Sequence, residues 1–159
     1  LKVIGIDPGV TATGYGILED GTCICIGTIR PREKNSHNRI HEICGRIKQL
    51  LEEVKPDSAA LEKVFYHKNI QSLIRSSELR GAIILTLLEY EIPIDEYAAT
   101  QIKLVTTGNG RASKEQVRYI VEKTLLHEKG RTSNHAIDAT AIAYTAVKKN
   151  RRKGGSDDR

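Results

Sequence analysis

The chain has 159 residues, 39% of them hydrophobic and 28% charged, with a formal net charge of +5 at pH 7. That length suits one domain with a proper core, and that balance is the one expected of a soluble globular protein. No apolar run approaches the ~20 residues needed to span a bilayer, no signal-peptide layout opens the chain, and the excess of base over acid suits a polyanionic partner.

Val3-Ile4-Gly5-Ile6 reads as a buried strand that delivers Asp7 to its carboxyl end, where Pro8-Gly9 turns the chain at once. Thr13–Leu18 and Thr22–Ile29 read as the next two strands, joined through Glu19-Asp20-Gly21, whose Asp-Gly pair is a hairpin signal. Cys23, Cys25 and Cys44 lack zinc-site spacing and an even count, so reduced thiols and a cytoplasmic setting are expected. A helix follows from Ser36 to Val54, with Ile40, Ile43, Ile47, Leu50 and Leu51 on one face, and Lys55-Pro56 ends it. Ser58-Ala59-Ala60-Leu61 is a short buried strand that again ends in a carboxylate, Glu62.

From about Asn69 to Glu91 a helical pattern carries Leu73, Ile74, Leu79, Ala82, Ile83 and Leu87 inward. Pro93–Tyr97 is the fifth strand, and 107–110 is a flexible link. Ser113, with Gln116 three residues on, forms a capping box for a helix that turns Val117, Ile120, Val121, Thr124 and Leu125 inward. The last helix, about Asn134 to Asn150, is rich in alanine and so can lie close to whatever it packs on. Residues 1–147 are expected to form one domain, and 148–159 a basic, disordered tail. Three antiparallel strands followed by helix-separated parallel ones predict an α/β fold. Its mixed five-stranded sheet would carry helices on both faces, the element order of a ribonuclease-H-like fold.

Asp7 and Glu62 both stand at carboxyl ends of core strands, the edge where open α/β sheets build their sites. The last helix adds His135 and Asp138, three apart and therefore on one face. Three hard carboxylates and an imidazole from separate elements suit one or two Mg²⁺ or Mn²⁺ ions, and the chemistry that needs such a set is phosphodiester hydrolysis. Read singly, each is a turn residue, a strand end or a solvated helix start. Basic residues flank the same edge: Lys63, His67 and Lys68 after Glu62, Arg75 and Arg80 on the next helix, then Lys103, Arg111, Lys114 and Arg118. Together they make a candidate phosphate-binding surface, though each alone could be a solvated charge. Phe65, the only phenylalanine, either packs in the core or stacks on a base beside the acids.

Ile4-Gly5-Ile6-Asp7-Pro8-Gly9 with Thr13-Gly14-Tyr15-Gly16, Ala60-Leu61-Glu62-Lys63-Val64-Phe65 with Lys68-Asn69, and His135-Ala136-Ile137-Asp138-Ala139 together resemble the RuvC family of Holliday junction resolvases, from about residue 2 to residue 147. The resemblance implies a homodimeric, Mg²⁺-dependent endonuclease that nicks two opposing strands of a four-way junction symmetrically, in recombination and repair. It implies two ions per site, with Mn²⁺ able to substitute. The family's four catalytic acids fall on Asp7, Glu62, His135 and Asp138; where many members carry Asp, this chain has His135, either a metal ligand or the base for the attacking water. The junction-contacting aromatic matches Phe65, and the basic residues used for DNA contact and catalysis match Lys103 and Lys114. A branch-migration motor and its junction-binding platform are the implied partners, and no membrane is involved.

Asp7-Pro8-Gly9-Val10-Thr11 also resembles the first phosphate loop of actin-like ATPases and sugar kinases, but those need two lobes and 159 residues leave room for one. Two other rivals share the fold: a non-catalytic nucleic-acid-binding module, and a ribonuclease acting on RNA–DNA hybrids.

Overall fold

The β-branched run at the N-terminus forms the central strand of a five-stranded sheet in the computed structural model, which describes residues 1–64, 69–126 and 132–154. The strands are β1 (Lys2–Asp7), β2 (Thr13–Glu19), β3 (Thr22–Ile29), β4 (Ser58–Glu62) and β5 (Ile94–Tyr97), in the spatial order β3-β2-β1-β4-β5. β1 pairs antiparallel with β2, and β2 with β3; β1 and β4, then β4 and β5, pair in parallel. This is the expected mixed α/β sheet. The β2–β3 hairpin turns through Asp20 and Gly21, both at positive φ (50° and 91°), as an Asp-Gly turn requires.

The helices are α1 (Ser36–Val54), α2 (Ile70–Glu89), α3 (Ala99–Thr107), α4 (Lys114–Thr124) and α5 (Asn134–Gly154). Side chains alternate across a strand, so the sheet sorts its residues between two apolar clusters. Ile4, Ile6, Ala59 and Leu61 pack with Ile43, Ile47 and Leu51 of α1 and with Leu79, Ile83 and Leu87 of α2. Val3, Ala60 and Tyr97 pack on the other face with Ile102 of α3, Val117 and Val121 of α4, and Ile137 and Ile142 of α5. Asp7 is in phase with Val3, and Glu62 with Ala60, so both carboxylates turn toward the α5 face. Glycines bring α5 directly onto the strands. A Cβ at Gly5 would come within 2.1 Å of the Ala139 carbonyl oxygen, and one at Gly14 within 1.9 Å of the His135 carbonyl oxygen.

Four details depart from the sequence reading. α3 is an additional helix; its N-cap, Ala98, has no side-chain acceptor, so only Gln101 Oε1, accepting from the Ala98 amide at 3.0 Å, closes its start, and Val105-Thr106-Thr107 is a β-branched run that argues for a strand. Ile74 is 53% exposed, because it lies on the face of α2 turned away from the buried Leu79 and Ile83. Thr124 is exposed and donates its hydroxyl to the Ile120 carbonyl oxygen at 2.8 Å, satisfying itself on its own helix. α5 continues to Gly154, since Lys148–Lys153 are helix-tolerant and nothing breaks the helix before Gly154-Gly155. No helix among the described residues is long and apolar enough to cross a membrane.

Candidate active site

Where β1 and β4 end side by side, the start of α5 lies across them. One cavity of about 530 Å³ is lined there by Asp7, Glu62, His135 and Asp138 together with Lys103, Lys114 and Arg80. Its floor is apolar, with Leu73, Ile102, Val117 and Ile142 contributing. The four candidate acids, 131 residues apart in sequence from first to last, are thus brought to one place.

The charges in this cavity are paired with one another. His135 Nδ1 lies 2.7 Å from Asp7 Oδ2, which leaves Nε2 as the ring nitrogen available for another partner. Lys114 Nζ lies 3.6 Å from Asp138 Oδ2. The hydrogen bond to Asp7 raises the His135 pKa above the ordinary imidazole value, against the opposing pull of burial. Glu62 and Asp138 are both pushed above the usual carboxylate range, chiefly by burial and then by the negative charge of Asp7, with Glu62 also feeling Asp138. Lys114 works against both shifts. Like carboxylates crowded into a half-buried cavity resist ionisation until a cation joins them.

Among the described residues no three His, Cys, Asp or Glu side chains already form a metal cage. The donor set nevertheless fits hard divalent ions: three carboxylates and one imidazole line the same cavity, Asp7 and Asp138 each have one cationic partner and Glu62 has none among the described residues, and only the two internal pairs need to open.

The basic residues named from sequence divide into groups. Lys103 and Lys114 line the cavity, and Lys114, paired with Asp138, is 80% exposed. Arg80 lines it too, but its guanidinium is ion-paired with Glu96 on β5. Arg75 lies on a separate shallow surface beside Ser36 and Glu78. Arg111 is exposed before α4, outside the cavity lining. Asn69 is occupied as the N-cap of α2, accepting from the Ser72 amide at 3.1 Å. Arg118 is bonded within the protein, to Asn134 and Thr132. Phe65, His67 and Lys68 lie outside the described residues. The apolar floor and the internal bonds of Arg118 were not read from the sequence; a core position and a cavity floor have the same pattern, and a solvated and a bonded arginine look alike.

Residues 3–146 match the family described as crossover junction endodeoxyribonuclease RuvC. The chain is 35% identical to the RuvC of Chlorobaculum parvum over 147 residues, covering 89% of this chain and 79% of that protein. It is 38% identical to the RuvC of Methylococcus capsulatus over 146 residues, covering 90% and 88%. Among solved structures, T. thermophilus RuvC in complex with a Holliday junction substrate superposes with a TM-score of 0.87 at 25% identity, over 96% of each chain. With a family match across nearly its whole length, and with the matched segments supplying both strand ends and the first turn of α5 that meet in the cavity, the chain belongs to the RuvC family of crossover junction endodeoxyribonucleases.

Proposed function

We propose that this protein resolves Holliday junctions as a structure-selective endonuclease, nicking two opposing strands of a four-way DNA junction and leaving 5′-phosphate and 3′-hydroxyl ends. The observation that carries the proposal is the convergence of Asp7, Glu62, His135 and Asp138 with two lysines in one cavity of a RuvC-family chain. Asp7, Glu62 and Asp138 would hold two Mg²⁺ ions, replaceable by Mn²⁺, which supply Lewis acidity toward the phosphate and lower the pKa of bound water. His135, oriented through Nδ1 by Asp7, presents Nε2 to accept the proton of the attacking water. Lys114 follows the charge that builds on the phosphate, and Lys103 lies in the same cavity to hold the strand. Phe65 stacks on a base at the crossover, with Lys68, Arg75 and Arg111 along the flanking backbone. The work belongs to the bacterial cytoplasm, with a branch-migration motor and its platform as partners.

Paired nicking needs two active sites, and α2 supports a homodimer. Ile70, Ile74, Leu85 and Leu88 are each more than half exposed and share one face of that helix, with Ser77 and Gly81 between them. A side chain at Gly81 would meet nothing within 4 Å, so this chain's own packing does not demand a glycine there, and the absence of a side chain leaves room for the close approach of a second α2.

The test is cleavage of an end-labelled four-way junction beside a linear duplex and an RNA–DNA hybrid, with Mg²⁺, Mn²⁺ or EDTA. Symmetrical nicks on the junction, lost in EDTA, are expected. Preferential cutting of the hybrid would discard the substrate, and tight junction binding without cutting would discard catalysis.

A further inference from the structure

α5 carries two of the four cavity groups in its first turn, so the way the chain enters α5 decides where they point. That entry is held from two sides. From β3, Thr28 shares a hydrogen bond between hydroxyls with Ser133, whose Oγ also accepts from the Ala136 amide at 3.1 Å and so caps the helix. From α4, Arg118 donates Nη1 to Asn134 Oδ1 at 2.7 Å and Nη2 to the Thr132 carbonyl oxygen at 2.9 Å, while Glu122 Oε1 stands 2.8 Å from the same Nη2. These three contacts use the planar fork of the guanidinium, which a lysine cannot reproduce. The side chain is only 33% exposed, against 80% for Lys114 one turn earlier on the same helix.

We propose that Arg118 is a positioning residue for the His135–Asp138 turn, and not a contact to DNA. Its spacing from Lys114 reinforces the point. Residues 114 and 118 are i and i+4, so one face of α4 both fastens the start of α5 and sets Lys114 opposite Asp138. Releasing the fork lets the α5 entry tilt. A displacement of about 1 Å at a catalytic group costs on the order of 10²-fold in rate, while the surface that binds the substrate's phosphates is untouched.

This inference rests on the resolvase reading, and the experiment separates the two. Junction affinity, its salt dependence and the single-turnover cleavage rate at saturating protein are measured for wild type, Arg118→Gln, Arg118→Lys and Asn134→Ala. Expected are rates about 10- to 100-fold below wild type for both Arg118 variants, with Kd within about twofold and an unchanged slope of log K against log salt; a lost phosphate contact would instead reduce that slope by about 0.9. Asn134 is exposed, so its alanine variant folds without disturbing the core; it should show part of the same defect, and the double variant Arg118→Gln/Asn134→Ala should be no worse than Arg118→Gln alone. The imidazole NMR signals of His135 in metal-free protein, assigned against His135→Gln, should move in the Arg118 variants as the bond to Asp7 loosens. Weakened affinity with a shallower salt slope and a normal saturated rate would overturn the proposal, as would an unchanged rate together with an unchanged His135 signal. If wild type cuts no junction, the resolvase reading fails, and the His135 signals still decide whether Arg118 positions the turn.

Discussion

Gly14→Ala should damage catalysis far more than binding, and its size can be worked from the contact it creates. A Cβ built on Gly14 lies 1.9 Å from the His135 carbonyl oxygen, 2.1 Å from the His135 carbonyl carbon and 2.7 Å from the Ala136 amide nitrogen. All three are backbone atoms, so no side chain can swing away; restoring an ordinary contact near 3.4 Å means a retreat of α5 by about 1.5 Å from the strand. Such overpacking costs about 1–3 kcal/mol, and in a chain of this size each kcal/mol lowers the melting temperature by about 2–4 °C. The displacement falls on the residue that carries the imidazole, so a rate loss of order 10²-fold is expected in single-turnover cleavage of a four-way junction at saturating protein, with junction affinity little changed. Gly45→Ala is the control: nothing lies within 4 Å of its built Cβ in the middle of α1, and it should leave the rate alone while adding up to ~1 kcal/mol of stability. A Gly14→Ala rate within threefold of wild type would refute the argument that this glycine sets the height of α5 above the sheet.

Asp7→Asn should abolish cleavage and preserve junction binding in a gel-shift assay; loss of both would mean that Asp7 is chiefly structural. Glu62→Gln should stabilise the metal-free protein at pH 7 by ~0.5–2 kcal/mol, the range common for charge optimisation, read as a higher melting temperature. The sign follows from the raised folded-state pKa: native Glu62 binds its proton more readily than the unfolded chain does, so metal-free stability falls as pH rises from the ordinary carboxylate value through the raised one. The advantage of the variant should therefore vanish in acid, below the ordinary value, and a flat pH dependence would contradict it. Cleavage itself should decline on the acid side at a pH above the usual carboxylate range, because Glu62 and Asp138 must both ionise, and a higher Mg²⁺ concentration should move that limb to lower pH. Leu85→Glu should convert a dimer to a monomer in light scattering; an unchanged mass would remove the exposed face of α2 as the interface.

Much of this architecture was legible because local signals and burial agree. The Val3–Ile6 run, the Asp20-Gly21 turn, the Ser113/Gln116 capping box and the apolar stripe of α1 each state one structure, and each forms it. The meeting of Asp7 and Glu62 in one cavity was legible because both end core strands at the same sheet edge, and period-two alternation gives both the same face as Val3 and Ala60. α3 was not legible, since its N-cap is an alanine and its last turn favours strands. Arg118 was read as one more basic residue at the DNA edge. Its partners are the Asn134 side chain and a carbonyl oxygen, and sequence says nothing of a carbonyl that one side chain happens to reach. Nor did periodicity reveal that Ile74 points outward, because an exposed apolar stripe and a core stripe have the same spacing.

The division of the interior by the sheet sets an asymmetry in what this chain can tolerate. Among the described residues, none in the core of the cluster beneath α1 and α2 lines the cavity, whereas the cluster on the other face gives it Ile102, Val117 and Ile142 and includes Ile137 of the helix that holds His135 and Asp138. Sequence drift should therefore be unequal between the halves. Volume-conserving exchanges among Ile43, Ile47, Leu79 and Ile83 can be absorbed as small losses of stability, while similar exchanges against α5 are read at once as a change in chemistry. One layer of the protein is free to be repacked, and the other is fixed by the reaction it serves.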